Sequence, residues 1–283
     1  MRSNLKILIL VFLACIFLFN LNVLTFAIEY PTKPIKLIIP YNPGGGSDIS
    51  ARIFSKYAEE YFGQPLVVAN ISGAAGSVGC LEALNSKPDG YTLLWHHSAM
   101  HVAYHTGVAD FTWDDFTPVC QGAFSMNAIA VKKDAPWKSI DDLMSAIKEN
   151  PGKIKMGAGI GSTNHFIGVE MDLATGGGNL KFVAGGGDSD LLIKLLGGFI
   201  DYTGLTISSA IDFMKDGKIR LLAVTGPKRS VYLPDIPTLQ EKGYNVTCVK
   251  DYNVYAPKGL PDEICSVISN NFKEMTEDKR VIN

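Results

Sequence analysis

The sequence predicts an α/β protein of two lobes, each a mostly parallel sheet flanked by helices. A unit of apolar strand, glycine-rich loop and amphipathic helix recurs four times, and the copies fall into two groups on either side of an apolar passage at Gly122 to Lys132. Such alternation favours parallel sheets, because a parallel return needs a crossover, which a helix supplies. With 283 residues, 47% hydrophobic and 19% charged, the chain can bury two moderate cores.

The N-terminus places Arg2 and Lys6 ahead of an apolar run from Ile7 to Phe19 and closes on Thr25-Phe26-Ala27, a small-x-small cleavage pattern. That is the anatomy of a secretory signal peptide over residues 1–27, and it predicts a periplasmic or otherwise extracytoplasmic protein. The competing reading is an uncleaved membrane anchor, since Leu21 to Phe26 lengthens the apolar stretch toward spanning size. Removal of the segment takes the basic count from 26 to 24 against 28 acids, a net of −4, which does not suit nucleic-acid binding.

The first unit runs from Ile35 to Phe62. Ile35, Leu37, Ile38 and Ile39 make a strand stopped by Pro40; Ile49, Ile53, Phe54, Tyr57, Ala58, Tyr61 and Phe62 recur at helical spacing, and Gly63 ends the helix. Between them Gly44, Gly45 and Gly46 allow a tight turn, and Ser47 or Asp48 is placed to cap the helix. The free N–H groups of a helix start, at the positive end of its dipole, form an anion site. Leu66 to Val68 lead through ISGAAGSVG to a helix across Cys80, Leu81 and Leu84, and Tyr91 to Trp95 form the next strand. In the second group, Ile154 to Met156 lead through GAGIGSTNH to a helix through Met171. Leu180 to Val183 lead through AGGGDSD to a helix ended by Gly197-Gly198. Asn253 to Ala256 return the chain to the first lobe. The expected division is lobe 1 at 28–125 and 252–283 and lobe 2 at 126–251, with the loops facing a shared cleft.

Enzyme signatures are largely missing. GGGSD lacks the Lys-Ser/Thr ending of a P-loop, no loop shows GxGxxG with an acid about 20 residues on, and no GxSxG surrounds Ser77 or Ser162. Ser162 and Thr163 read as hydroxyl donors and helix caps, and His165 follows in the first turn. His96, His97, His101 and His105 lie within ten residues, and the last three would share a helical face, a spacing that suits zinc. Four cysteines, Cys80, Cys120, Cys248 and Cys265, show no CxxC pair. The glycine loops hold no Lys or Arg, so a bound anion is expected to be neutralised by backbone N–H groups, hydroxyls and water, without a salt bridge.

The motifs YPTKPIKLIIPYNPGGGSD, GQPLVVAN, GAAGSVG, KPDGYTLL, DFTPV, GSTNH, GKIRLLAVTGPKRS and LPDIPTL, in that order from Tyr30 to Met275, resemble the Bug/TctC family of solute receptors of tripartite tricarboxylate transporters. The resemblance implies a type II periplasmic-binding-protein fold that performs no chemistry, captures a small mono- or dicarboxylate and delivers it to membrane permease subunits. It implies a carboxylate held at Tyr41 and Gly44 to Asp48, and other cleft-lining segments at Ala75-Gly76, Ser98, His101 and Gly161 to His165. The family's second-lobe motif is replaced by FVAGGGDSD, with Ala184 for a proline and Gly185 and Gly186 at the aromatic and basic positions. His96-His97 replaces a small hydroxylated pair, which narrows the pocket or gives a pH-sensitive contact. Family chains run on past the position matching Val281, so lobe 1 is expected to be short at the C-terminus. A monomer without cofactor or metal is expected. Two rivals stay open: an enzyme holding a phosphorylated ligand at the glycine loops, and a metal receptor using the His96–His105 cluster.

Overall fold

Strand β1 (Ile35–Ile39) is the first apolar run of the sequence, and it is almost fully buried because sheet neighbours stand on both sides of it. The computed structural model describes residues 29–282, of which those from Pro31 onward form one compact unit. The expected signal segment 1–27 lies outside the described residues. Strands follow at β2 (Leu66–Asn70), β3 (Thr92–His96), β4 (Phe116–Lys132), β5 (Lys155–Ala158), β6 (Lys181–Ala184), β7 (Tyr202–Thr206), β8 (Ile219–Val224) and β9 (Val249–Pro257).

The strands form two sheets joined through β4. The first has the order β2-β1-β3-β9-β4 and the second β6-β5-β7-β4-β8. Pairings β1–β2 and β1–β3 are parallel in the first, β5–β6 and β5–β7 in the second, while β9 and β4 pair antiparallel with their neighbours. Each sheet therefore has four strands in one direction and one opposed to them, β9 in the first and β4 in the second. The expected mostly parallel sheets are present.

Strand β4 starts earlier than the passage Gly122 to Lys132. Its partner β9 runs alongside from Phe116↔Pro257 to Met126↔Val249, with register shifts at Pro118/Cys120 and Gln121/Ala123. Gly122 sits inside the strand, where an added Cβ would lie 2.5 Å from the Trp95 ring. Trp95, Phe54 and Phe272 pack together beneath the first sheet, the last carried by helix Asp262–Glu277. Clusters around Ile129, Met156 and Tyr202, and around Leu191, Leu205 and Leu221, cover the two faces of the second.

Helix Gly46–Phe62 ends as expected at Gly63, in the left-handed region (φ 65), with its N–H on Glu59 O at 3.0 Å. Its buried stripe is Ser47, Ala51, Phe54, Ala58 and Phe62; Ile53, expected to face inward, is 39% exposed. Cys80, Cys120, Cys248 and Cys265 are free thiols. No helix among the described residues is long and apolar enough to cross a membrane.

Candidate functional site

Three helices begin at one cavity. Gly45, Gly46 and Ser47 line it from the start of helix Gly46–Phe62, Ser162, Thr163 and Asn164 from the start of helix Thr163–Ala174, and Gly186, Gly187 and Asp188 from the start of helix Asp188–Leu196. Tyr41, Asn42, His97 and Lys250 complete the wall. The first turns of three helices thus direct unpaired N–H groups and positive dipole ends into a space of about 40 Å³. By the measure that assigns a water about 10–15 Å³, that holds roughly three waters.

The starts are fixed differently. Ser162 Oγ accepts from His165 N at 3.2 Å, so the expected hydroxyl cap is present there. On helix Gly46–Phe62 the N-cap is Gly45, with neither Ser47 nor Asp48 capping. Asp48 accepts instead from Gly44 N at 2.9 Å, from Arg52 Nε at 2.9 and 3.0 Å, and from Asn70 Nδ2 at 2.9 Å. Burial works to raise its pKa, but Arg52, Gly44 and Asn70 together hold it below the usual carboxylate value. Its carboxylate ties the glycine turn together behind the cavity.

The expectation that no cation serves the site is overturned. Lys250, on β9, reaches the cavity wall and donates through Nζ to Thr206 Oγ1 at 2.8 Å, 3.7 Å from Asp188 Oδ1. The other Asp188 oxygen, Oδ2, accepts from Thr206 N at 3.0 Å and Ser209 Oγ at 3.2 Å. Both charged side chains are 7% exposed. Burial pulls the Lys250 pKa down and the Asp188 pKa up, yet each is outweighed by the partner, so Lys250 stays above and Asp188 below its ordinary value. The site therefore holds a charged pair.

His97 also lines the cavity, its ring stacked on Tyr41 at 5.3 Å between centroids. Its Nδ1 accepts from Ala99 N at 3.2 Å and lies 3.5 Å from Thr163 Oγ1, which leaves the ring proton on Nε2. Burial, then Lys250 and His96, drive its pKa well below the ordinary histidine value. Burial pushes His96 down to about 3. Both shifts favour the neutral ring, and of the pair His97 alone lines the cavity. Helix Ala99–His105 carries His101 and His105 but begins after His97, so the helical face shared by three histidines does not form. Among the described residues no group of three His, Cys, Asp or Glu is arranged to hold a metal ion.

Of the site residues expected from sequence, Tyr41, Gly45, Gly46, Ser47, Ser162, Thr163 and Gly186 line the cavity. The others lie off it. Gly44 (φ 80) forms the turn tied by Asp48. Ala75 and Gly76 belong to a run of left-handed residues behind Tyr41 and His96, and a Cβ on Gly76 would be 3.3 Å from both Tyr41 Oη and His96 Nε2. Ser98 Oγ donates to Val249 O at 3.3 Å. His101 lines a separate, more open depression of about 310 Å³ with Trp113 and Cys120. Gly161 (φ 77) packs against Thr106 and Val108, His165 against Phe182, and Gly185 against Leu191. Asn164 lies within the expected segment Gly161 to His165 and His97 within the pair expected at the pocket, while Asn42, Gly187, Asp188 and Lys250 join the wall without having been expected there.

The family model for the tripartite tricarboxylate transporter family receptor matches residues 50–280. Protein BugT of Bordetella pertussis is 28% identical over 259 residues, which cover 89% of this chain and 79% of BugT. Among solved structures, the periplasmic binding protein BugD superposes with a TM-score of 0.82 at 27% identity, over 89% of this chain and 86% of BugD. A Rhodopseudomonas palustris protein solved with adipate superposes with a TM-score of 0.83 at 28% identity, over 89% of this chain and 85% of that one. The fold is thus the two-lobed periplasmic-binding-protein fold, and the chain belongs to the tripartite tricarboxylate transporter receptor family.

Proposed function

We propose that this protein captures a small mono- or dicarboxylate in the cavity between its two sheets and delivers it to the permease subunits of a tripartite tricarboxylate transporter. The observation that carries the reading is the convergence of three helix N-termini and Lys250 on one buried space, whose single carboxylate, Asp188, is already paired. Hydrogen bonds to a charged group contribute about 1.5–3 kcal/mol each, so a few of these donors reach the roughly 8 kcal/mol of a micromolar complex. The adipate bound by the R. palustris relative supports the same ligand class. The family's role supports a receptor outside the cytoplasm, and with it we propose export by residues 1–27 and action as a monomer. The switch of β4 from one sheet to the other at Met126/Asn127 supports lobes at 28–125 with 252–283 and at 126–251.

Thermal unfolding in a panel of two- to six-carbon carboxylates, ATP, NAD and zinc tests the reading. One or more carboxylates should stabilise the protein saturably, by about 2.7 kcal/mol at a hundredfold excess over Kd. Stabilisation by ATP or NAD with no carboxylate response would favour an enzyme and sink the proposal.

A further inference from the structure

Asp188 is a carboxylate inside a cavity read as a carboxylate site, and the turn ahead of its own helix does not require it there. The turn ahead of its helix is tied by Asp190, whose Oδ2 accepts from Gly186 N at 2.7 Å and from Lys194 Nζ at 2.8 Å. Asp188 instead turns toward the cavity and Thr206. Its Oδ2 is occupied by Thr206 N and Ser209 Oγ, while its Oδ1 has Lys250 Nζ at 3.7 Å, beyond hydrogen-bond length. Lys250 carries three donors and makes one short bond, to Thr206 Oγ1. An anionic oxygen and an ammonium therefore stand side by side in the wall, each with capacity left.

The side-chain charges of the cavity sum to zero, because His97 is neutral and Asp188 offsets Lys250. A dicarboxylate would bring two negative charges close to Asp188 with one cation to share among three carboxylates. A ligand carrying an ammonium beside its carboxylate brings no net charge and completes both free valences: its carboxylate meets Lys250 and the helix starts, and its ammonium meets Asp188 Oδ1. The geometry points to an amino acid as the ligand, with Asp188 as the residue that selects the ammonium group. This inference rests on the carboxylate reading and narrows it.

Matched ligands test it on the full chain by calorimetry: L-alanine against propionate and lactate, L-aspartate against succinate and malate. At least one amino acid should bind tenfold or more tightly than its counterparts without nitrogen, and Asp188→Asn should shrink that ratio to near one while Ser209→Ala leaves it above five. Equal or tighter binding of the nitrogen-free acids overturns the inference and leaves the carboxylate reading standing. Failure of every acid to bind overturns both. The wild-type ratio needs no variant, so an Asp188→Asn protein that does not fold leaves the decision intact.

Discussion

The loops at Gly44–Arg52 and Gly186–Lys194 are built alike, position for position. Each runs from a glycine whose N–H donates to an aspartate four residues on, Gly44 to Asp48 at 2.9 Å and Gly186 to Asp190 at 2.7 Å. Each places a glycine at the N-cap, Gly45 or Gly187, and pairs that aspartate with a cation one turn later, Arg52 or Lys194. The difference falls on the first helical residue. It is Gly46 in one loop and Asp188 in the other, and both face Thr206. A Cβ on Gly46 would lie 2.6 Å from the Thr206 side chain, whereas Asp188 accepts from Thr206 N. Identical turn chemistry thus serves two ends: one loop gains close approach by having no side chain, and the other gains a charge by having one.

Making the loops equal should have the largest effect. Asp188→Gly leaves Lys250 buried without its counter-ion, with an expected loss of about 3–5 kcal/mol in urea denaturation; Asp188→Gly with Lys250→Met should recover most of it. A double variant as unstable as the single one would mean that Asp188 acts through Thr206 and Ser209 alone. Gly46→Ala forces the helix start away from Thr206 and should cost about 1–3 kcal/mol. Gly45→Ala, whose Cβ would meet nothing nearer than 3.8 Å, should cost less than about 1 kcal/mol. Parity between these two would show that the close approach is not needed.

The smallest contrast is between the two turn-tying aspartates. Asp48→Ala removes a 4% exposed side chain with three partners and should cost about 1–2 kcal/mol; Asp190→Ala, at 34% exposure, should cost under about 1 kcal/mol. The folded pKa of Asp48 lies below the unfolded value, so its contribution is complete above about pH 5 and fades as the pH falls through the folded value. The gap between wild type and Asp48→Ala should therefore narrow steadily as the pH is lowered from about 5.

The order of strands, glycine loops and helices was legible because it rests on local patterning: Ile35–Ile39, the three glycines and the stripe through Phe54 and Ala58 each announce themselves within a few residues. What local patterning cannot carry is the meeting of distant strands. Lys250 lies in no glycine loop, and it enters the cavity because β9 alternates, with Lys250, Tyr252 and Val254 buried and Val249, Asp251 and Asn253 half-buried. A lysine at an inward position of an apolar strand was the available signal. Ser98 and His165 show a related effect: each lies near the end of an element that does face the cleft, but Ser98 Oγ bonds to the Val249 carbonyl and the His165 ring packs on Phe182.

Lys250 stands on a strand of the first sheet, while Asp188 and Thr206 belong to the second. Any parting of the two halves would therefore hydrate both charges, returning several kcal/mol per ion, about what their attraction surrenders. On the proposed function, cargo that bonds to both charges would tie the two halves together through its own contacts, and its departure would free them to part.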